Sequence, residues 1–381
     1  MKKHIKLFIV LGIILVGSFS FYLFNGYKKD ALVYENYKIM PSSSGIAMML
    51  ETSAGSGNYE MTTRSEWPAE GYVFNVNLSK CENGSELSWD NENKNVLMSG
   101  NKSDKCYVYF DVYVKPTIAN TCSSGTNLAT CIKTFGDKGP SVSNIYYHDS
   151  NLTNGAGDNS YRYAGASDQV NNYVCFGSNV TPCPADNLYR IIGVFGDKVK
   201  LIKSTSVGDK VWDTGGKNTW STSSLNNYLN NEFINAFDET TKGKIDTTTW
   251  KVGGFSNHKQ PANTVYQNEI NSSPSENKKI GLIYASDYGF AAAPSAWTTN
   301  LYDYNGAAIK SANWMYLGAY EWTISRNADY SNFAFIVNGT GYVAGGGNVT
   351  NAGGVRPVFS LSSFVNYASG SGSATDPILV N

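Results

Sequence analysis

Charge is scarce in this chain. Asp, Glu, Lys and Arg make up 16% of 381 residues and nearly cancel, leaving a formal net charge of −1. No basic stripe is available to displace counterions from a phosphate backbone, so no nucleic-acid partner is expected. Histidine is scarcer still, with three in all: His4, His148 and His258. No C-x-x-C pair accompanies them, so neither a metal nor a cofactor is expected. No G-x-S-x-G elbow is present either. His148, in YYHDS, and His258, in FSNHKQPAN, are read as solvated loop residues, and no catalytic residue is assigned.

What is present is polar, aromatic and apolar. Hydrophobic residues reach 41%, enough for a buried core, and there are 26 tyrosines and eight tryptophans. Solubility must rest on Asn, Ser, Thr and Tyr. At the N-terminus, basic MKKHIK precedes LFIVLGIILVGSFSFYLF (Leu7–Phe24), a run without charge and long enough for a spanning helix. Lys2, Lys3 and Lys6 favour a cytoplasmic N-terminus. The expectation is a signal-anchor over residues 1–28, single-pass in the cell membrane, with everything after it extracellular. A cleaved signal peptide, and hence secretion, is the alternative.

Six cysteines fall into three neighbouring couples, predicting Cys81–Cys106, Cys122–Cys131 and Cys175–Cys183. Between residues 31 and 115 the pattern is that of a small all-β module. Tyr72, Phe74, Val76 and Leu78 alternate as in a half-buried strand. Leu87 and Trp89 face Val96 and Met98 across an Asx-rich turn, and Cys106–Val114 reads as a further strand. Asp90, Glu92 and Asn93 in that turn do not have calcium-loop spacing. Residues 116–143 read as a connector with one short helix.

From residue 144 to 381 short strands dominate. NLYRIIGVFGDKVKLIKST predicts a hairpin turning at Gly196-Asp197. STSSLNNYLNNEFINAF places Leu225, Tyr228, Leu229, Phe233 and Phe237 at helical spacing, predicting one amphipathic helix. KIGLIYASDYGF, WMYLGAYEWTIS, FAFIVNGTGYV and GGVRPVFSLSS read as strands, with Pro357 at an edge or bulge. The class is α+β.

These stretches, together with DNSYRYAGASDQVNNYVCFGS and NTWSTSSLNNYLN, resemble an uncharacterised domain family found in surface and secreted proteins of Gram-positive bacteria (Bacillota). CENGSELSW and SDKCYVYF resemble the β-module that often precedes it. The family's layout, ending in GVRPVF, is similar to the C-type lectin-like fold. That resemblance implies a C-type lectin-like domain over residues 144–381. It carries no activity with it. An oxygenase of the sulfatase-modifying type needs a cysteine pair in the C-terminal half, and none follows Cys183. The calcium-lectin loop is not matched by KQPAN (Lys259–Asn263), and VAGGGNV (Val343–Val349) reads as a turning loop rather than a phosphate cradle.

The remaining reading is a recognition surface. Arg326, Asn327, Asp329, Tyr330, Asn332, Asn338, Thr340, Tyr342, Asn348, Thr350 and Asn351 have the composition of adaptable binding loops. Trp314 and Trp322 are candidate faces for a sugar ring, or else core aromatics. The function expected is non-catalytic adhesion or recognition of an extracellular glycan or protein at a bacterial cell surface. A structural envelope protein is the alternative. A further one, from the fold analogy, is a receptor-binding protein diversified by a retroelement.

Overall fold

The computed structural model describes residues 45–62, 71–90, 92–93, 95–101, 103–257 and 259–381. Its contacts divide the chain into two units, Met1–Lys115 and Pro116–Asn381. The expected membrane-spanning helix is corrected. Among the described residues no helix is long and apolar enough to cross a membrane. Residues 1–28, to which the anchor was assigned, lie outside them.

In the first unit the strand Lys105–Val112 is central. It runs parallel to Gly45–Glu51 and antiparallel to Tyr72–Phe74 and Lys80–Cys81. A separate hairpin pairs Glu86–Asp90 with Asn95–Ser99. Ile46, Met48, Val96, Met98, Val108 and Phe110 fill the core. Cys81 lies directly opposite Cys106, and the two are bonded. The alternation expected through Leu78 stops early, because Asn75 closes a turn. Its Oδ1 accepts from Leu78 N–H and its Nδ2 donates to Asp111. Val76 and Leu78 are consequently exposed.

The second unit holds one continuous core between two sheets. Residues 116–143 belong to it and do not form a connector. Ile118, Leu128, Cys131, Ile132 and Phe135 are buried there, from the helices Ile118–Thr121 and Leu128–Gly136. In the larger sheet the hairpin Leu188–Phe195/Lys198–Lys203 turns at Gly196, which takes φ +63. Val358–Ser360 pairs with Lys198–Lys203 on one side and Ile280–Gly281 on the other. The GVRPVF segment is therefore interior, and the edge or bulge position expected for Pro357 is corrected. Pro357 stands just before the strand, where only its carbonyl is used, accepting from Lys203 N–H at 3.0 Å.

KIGLIYASDYGF also departs from expectation: only Ile280–Gly281 is strand, and its second half enters the buried helix Ala285–Ala291. The single helix expected after Ser221 is broken into short pieces. Ser224–Asn227 is α-helical, Tyr228–Phe233 is π-helical and Ile234–Ala236 is a 3-10 turn. The wider π turn shifts the buried series to Leu225, Leu229 and Ile234, leaving Tyr228, Phe233 and Phe237 only partly buried.

Candidate functional site

The second sheet orders its strands Asp209–Val211, Ala352–Gly354, Glu321–Arg326, Phe333–Val337 and Val343–Asn348. Its last three strands form an antiparallel meander. That register sorts the sequence-predicted residues. Arg326, Asn327, Asp329, Tyr330, Asn332, Asn348, Thr350 and Asn351 gather at one end. Asn338, Thr340 and Tyr342 occupy the turn at the other. The eleven do not form one face.

Trp314 and Trp322 belong to neither end. Both are buried, with 1% and 0% of their surface exposed. Their indole N–H groups donate to Tyr163 O at 2.8 Å and Lys210 O at 2.9 Å. Trp314 and Trp322 are core aromatics, and the sugar-face reading is corrected for both.

The first end is built around a residue the sequence reading passed over. Nδ2 of buried Asn218 reaches three carbonyls: Asn327 at 2.8 Å, Tyr330 at 2.9 Å and Phe333 at 2.7 Å. Its backbone N–H donates to Ser331 O at 2.7 Å. Asn327 is buried as well; Nδ2 donates to Gly345 O and Oδ1 accepts from Asp329 N–H. Ser256 Oγ donates to Asp329 at 2.7 Å, and Val349 N–H to Asn332 O at 3.0 Å. So the loop is tied from inside and from both flanks, while its tip faces water. Asp329, Ser331 and Asn332 are exposed, and Tyr330 is 59% exposed. Arg326 is half-buried, its guanidinium 3.4 Å from Asn218 Oδ1. Asn218 stands in NTWSTSSLNNYLN, and membership of that motif was the one signal that could have found it.

At the other end Tyr342 meets Tyr302 edge to face, with ring centres 5.2 Å apart, and Lys259 Nζ lies 5.1 Å from the Tyr302 ring. Asn338 and Asn348 shape turns. Each Oδ1 accepts from the N–H and the hydroxyl two residues on, at Thr340 and Thr350.

Behind the sheet lies a buried charged group. Asp287 accepts from Lys200 Nζ at 2.5 Å and Arg162 at 3.4 Å, and Arg162 also pairs with Asp158 at 2.7 Å. Glu269 accepts from Ser325 Oγ and from the N–H groups of Ala285 and Ser286, at the start of the 285–291 helix. Burial pushes its carboxyl up to about 7, against the lowering effect of those hydrogen bonds. His148 is not the solvated loop residue expected. It is fully buried, its Nδ1 accepts from Ala156 N–H, and burial with the nearby Arg162 charge lowers it to about 3. His258 lies outside the described residues. Among the described residues no three His, Cys, Asp or Glu side chains group to hold a metal ion. All three predicted disulfides form, and no described cysteine is free.

A family model described as a domain of unknown function, DUF6273, matches residues 196–363. This span takes in both ends of the meander, Asn218, and the Arg356 segment. No curated protein and no solved structure matches the chain. The fold is a mixed α+β arrangement with disulfides, and neither comparison bears on the lectin-like layout that the resemblance implies.

Proposed function

We propose that the 196–363 domain recognises an extracytoplasmic glycan or protein by contact, without catalysis, through the loop at Ala328–Asn332. One observation carries this reading: an exposed polar-aromatic tip held rigid by the side chain of Asn218. A loop already fixed in one shape loses little entropy on binding, and tyrosine supplies large contact area with few rotatable bonds. Three disulfides favour an oxidising compartment. The test is display of the purified chain to glycan and protein arrays. Saturable binding that Tyr330→Ala or Asn332→Ala removes, without loss of folding, supports recognition. Empty arrays with a folded protein would sink it in favour of a structural envelope role.

A further inference from the structure

A second feature stands apart from the loop. Between the helical stretch 221–231 and the hairpin Thr248–Lys251/Ser275–Lys278 runs a groove of about 500 Å³. Its size is that of a small-ligand site, but its walls are amides and hydroxyls in place of the usual apolar lining. Ser221 and Thr222 stand at one wall, Asn227 and Asn231 along the helix, and Lys278 and Lys279 at the hairpin. None of the lining residues is acidic.

Folding accounts for only part of this lining. Asn230 brackets Ile280, donating to its carbonyl at 2.9 Å and accepting from its N–H at 3.0 Å. Asn226 accepts from Asn230 at 2.9 Å. Both are structural. Asn227 and Asn231 are exposed, and Asn231 Nδ2 donates to Asn227 Oδ1 at 2.7 Å. Among the described residues, the amide nitrogen of Asn227 and Oδ1 of Asn231 have no further partner. Asparagine is a poor helix former, and the i,i+4 bond between the two offsets only part of that cost. The π-helical turn Tyr228–Phe233, an arrangement often found at functional sites, includes Asn231 in this wall. Lys279 Nζ donates to Lys242 O at 2.9 Å and keeps further donors, and Lys278 makes no ion pair among the described residues.

We infer that this groove binds an acidic oligosaccharide, with the amides and hydroxyls of the wall meeting sugar hydroxyls and the two ammonium groups meeting carboxylate or sulfate. The charge count selects for anions, and the lack of apolar lining selects against flat hydrophobic ligands. The inference does not rest on the Tyr330 loop, which lies outside the groove.

Calorimetric titration of the full chain with oligogalacturonate, a heparin oligosaccharide and neutral maltoheptaose tests it. Saturable binding of either acidic ligand, weakened at least tenfold by Lys278→Glu and by raising salt from 50 to 500 mM, supports the inference. Which acidic ligand binds then separates uronate from sulfate recognition. Asn231→Ala, at an exposed position, is the second variant and should weaken the same binding should Lys278→Glu misfold. Binding of maltoheptaose equal to that of the acidic ligands overturns the inference. So does binding of none of the three, or acidic binding that neither variant changes.

Discussion

Arg356 grips Glu321 through two donations, Nε to Oε1 at 2.5 Å and Nη2 to Oε2 at 2.7 Å, with both side chains withdrawn from solvent. Nη2 also donates to Met315 O at 2.8 Å. The pair joins the closing GVRPVF segment to the first strand of the meander that displays the loop. A buried charge without its partner is costly, so Arg356→Met should destabilise the second unit by roughly 3–5 kcal/mol in urea unfolding. Replacing both, as Arg356→Met with Glu321→Leu, should cost less than the sum of the single changes. A single-variant loss below about 1 kcal/mol would show that the pair does not hold the segment.

Gly254 sits beside the other end of that strand with φ +72, and a Cβ there would lie 1.9 Å from Arg326 O. Phe255 N–H donates to that same carbonyl at 3.2 Å. Gly254→Ala therefore imposes left-handed strain, about 1–2 kcal/mol by itself, and in addition forces Arg326 or residue 254 to shift. Lower stability is expected together with faster hydrogen exchange at Ala328, whose N–H donates to Phe255 O. Unchanged exchange there would mean that the loop is held independently of this contact.

Asn218→Ala removes two amide hydrogens shared among three carbonyls, at roughly 1 kcal/mol per contact at most. The loss should reach up to about 3 kcal/mol, the carbonyls nearest the surface being rehydrated. Hydrogen exchange across 327–333 should quicken, and array binding should weaken even though Tyr330 is intact. Asn218→Asp keeps the shape but points an acceptor at three carbonyls, and should be at least as damaging. Preserved binding in both variants would count against the rigid-loop account.

The hairpins were legible because alternation and turn chemistry are local: Leu87, Trp89, Val96 and Met98 pair across their turn as the pattern requires. The neighbouring cysteine pairs were legible for the same reason. The helix after Ser221 was misread because a π turn adds a residue that 3.6-residue spacing does not anticipate. At the candidate site, composition marked out one stretch but could not sort the residues within it. Asparagine that shapes a turn, as Asn338 and Asn348 do, reads the same as asparagine on display. Trp314 and Trp322 were ambiguous because a buried indole needs only one carbonyl, and a distant strand supplied each. Asn218 was missed because its partners lie more than a hundred positions away.

Glu269 and His148 should impose opposite pH dependences on the stability of the second unit. Glu269 has a folded value of about 7, above its ordinary 4.5, because burial outweighs its hydrogen bonds. Between those values the folded chain holds a proton that the unfolded chain has lost. Its stabilising contribution is full below 4.5 and disappears as pH rises through 7. His148 is lowered to about 3 from 6.5, by burial and then by the Arg162 charge. Its contribution is full above 6.5 and disappears as pH falls through 3. The two slopes oppose each other between 4.5 and 6.5, so the wild-type chain should vary little with pH in that window. Removing one group exposes the other. By urea unfolding, His148→Phe should be more stable at pH 5 than at pH 8, and Glu269→Gln should show the reverse tilt. If both variants tilt the same way, at least one of these side chains is not held in the protonation state that its burial imposes.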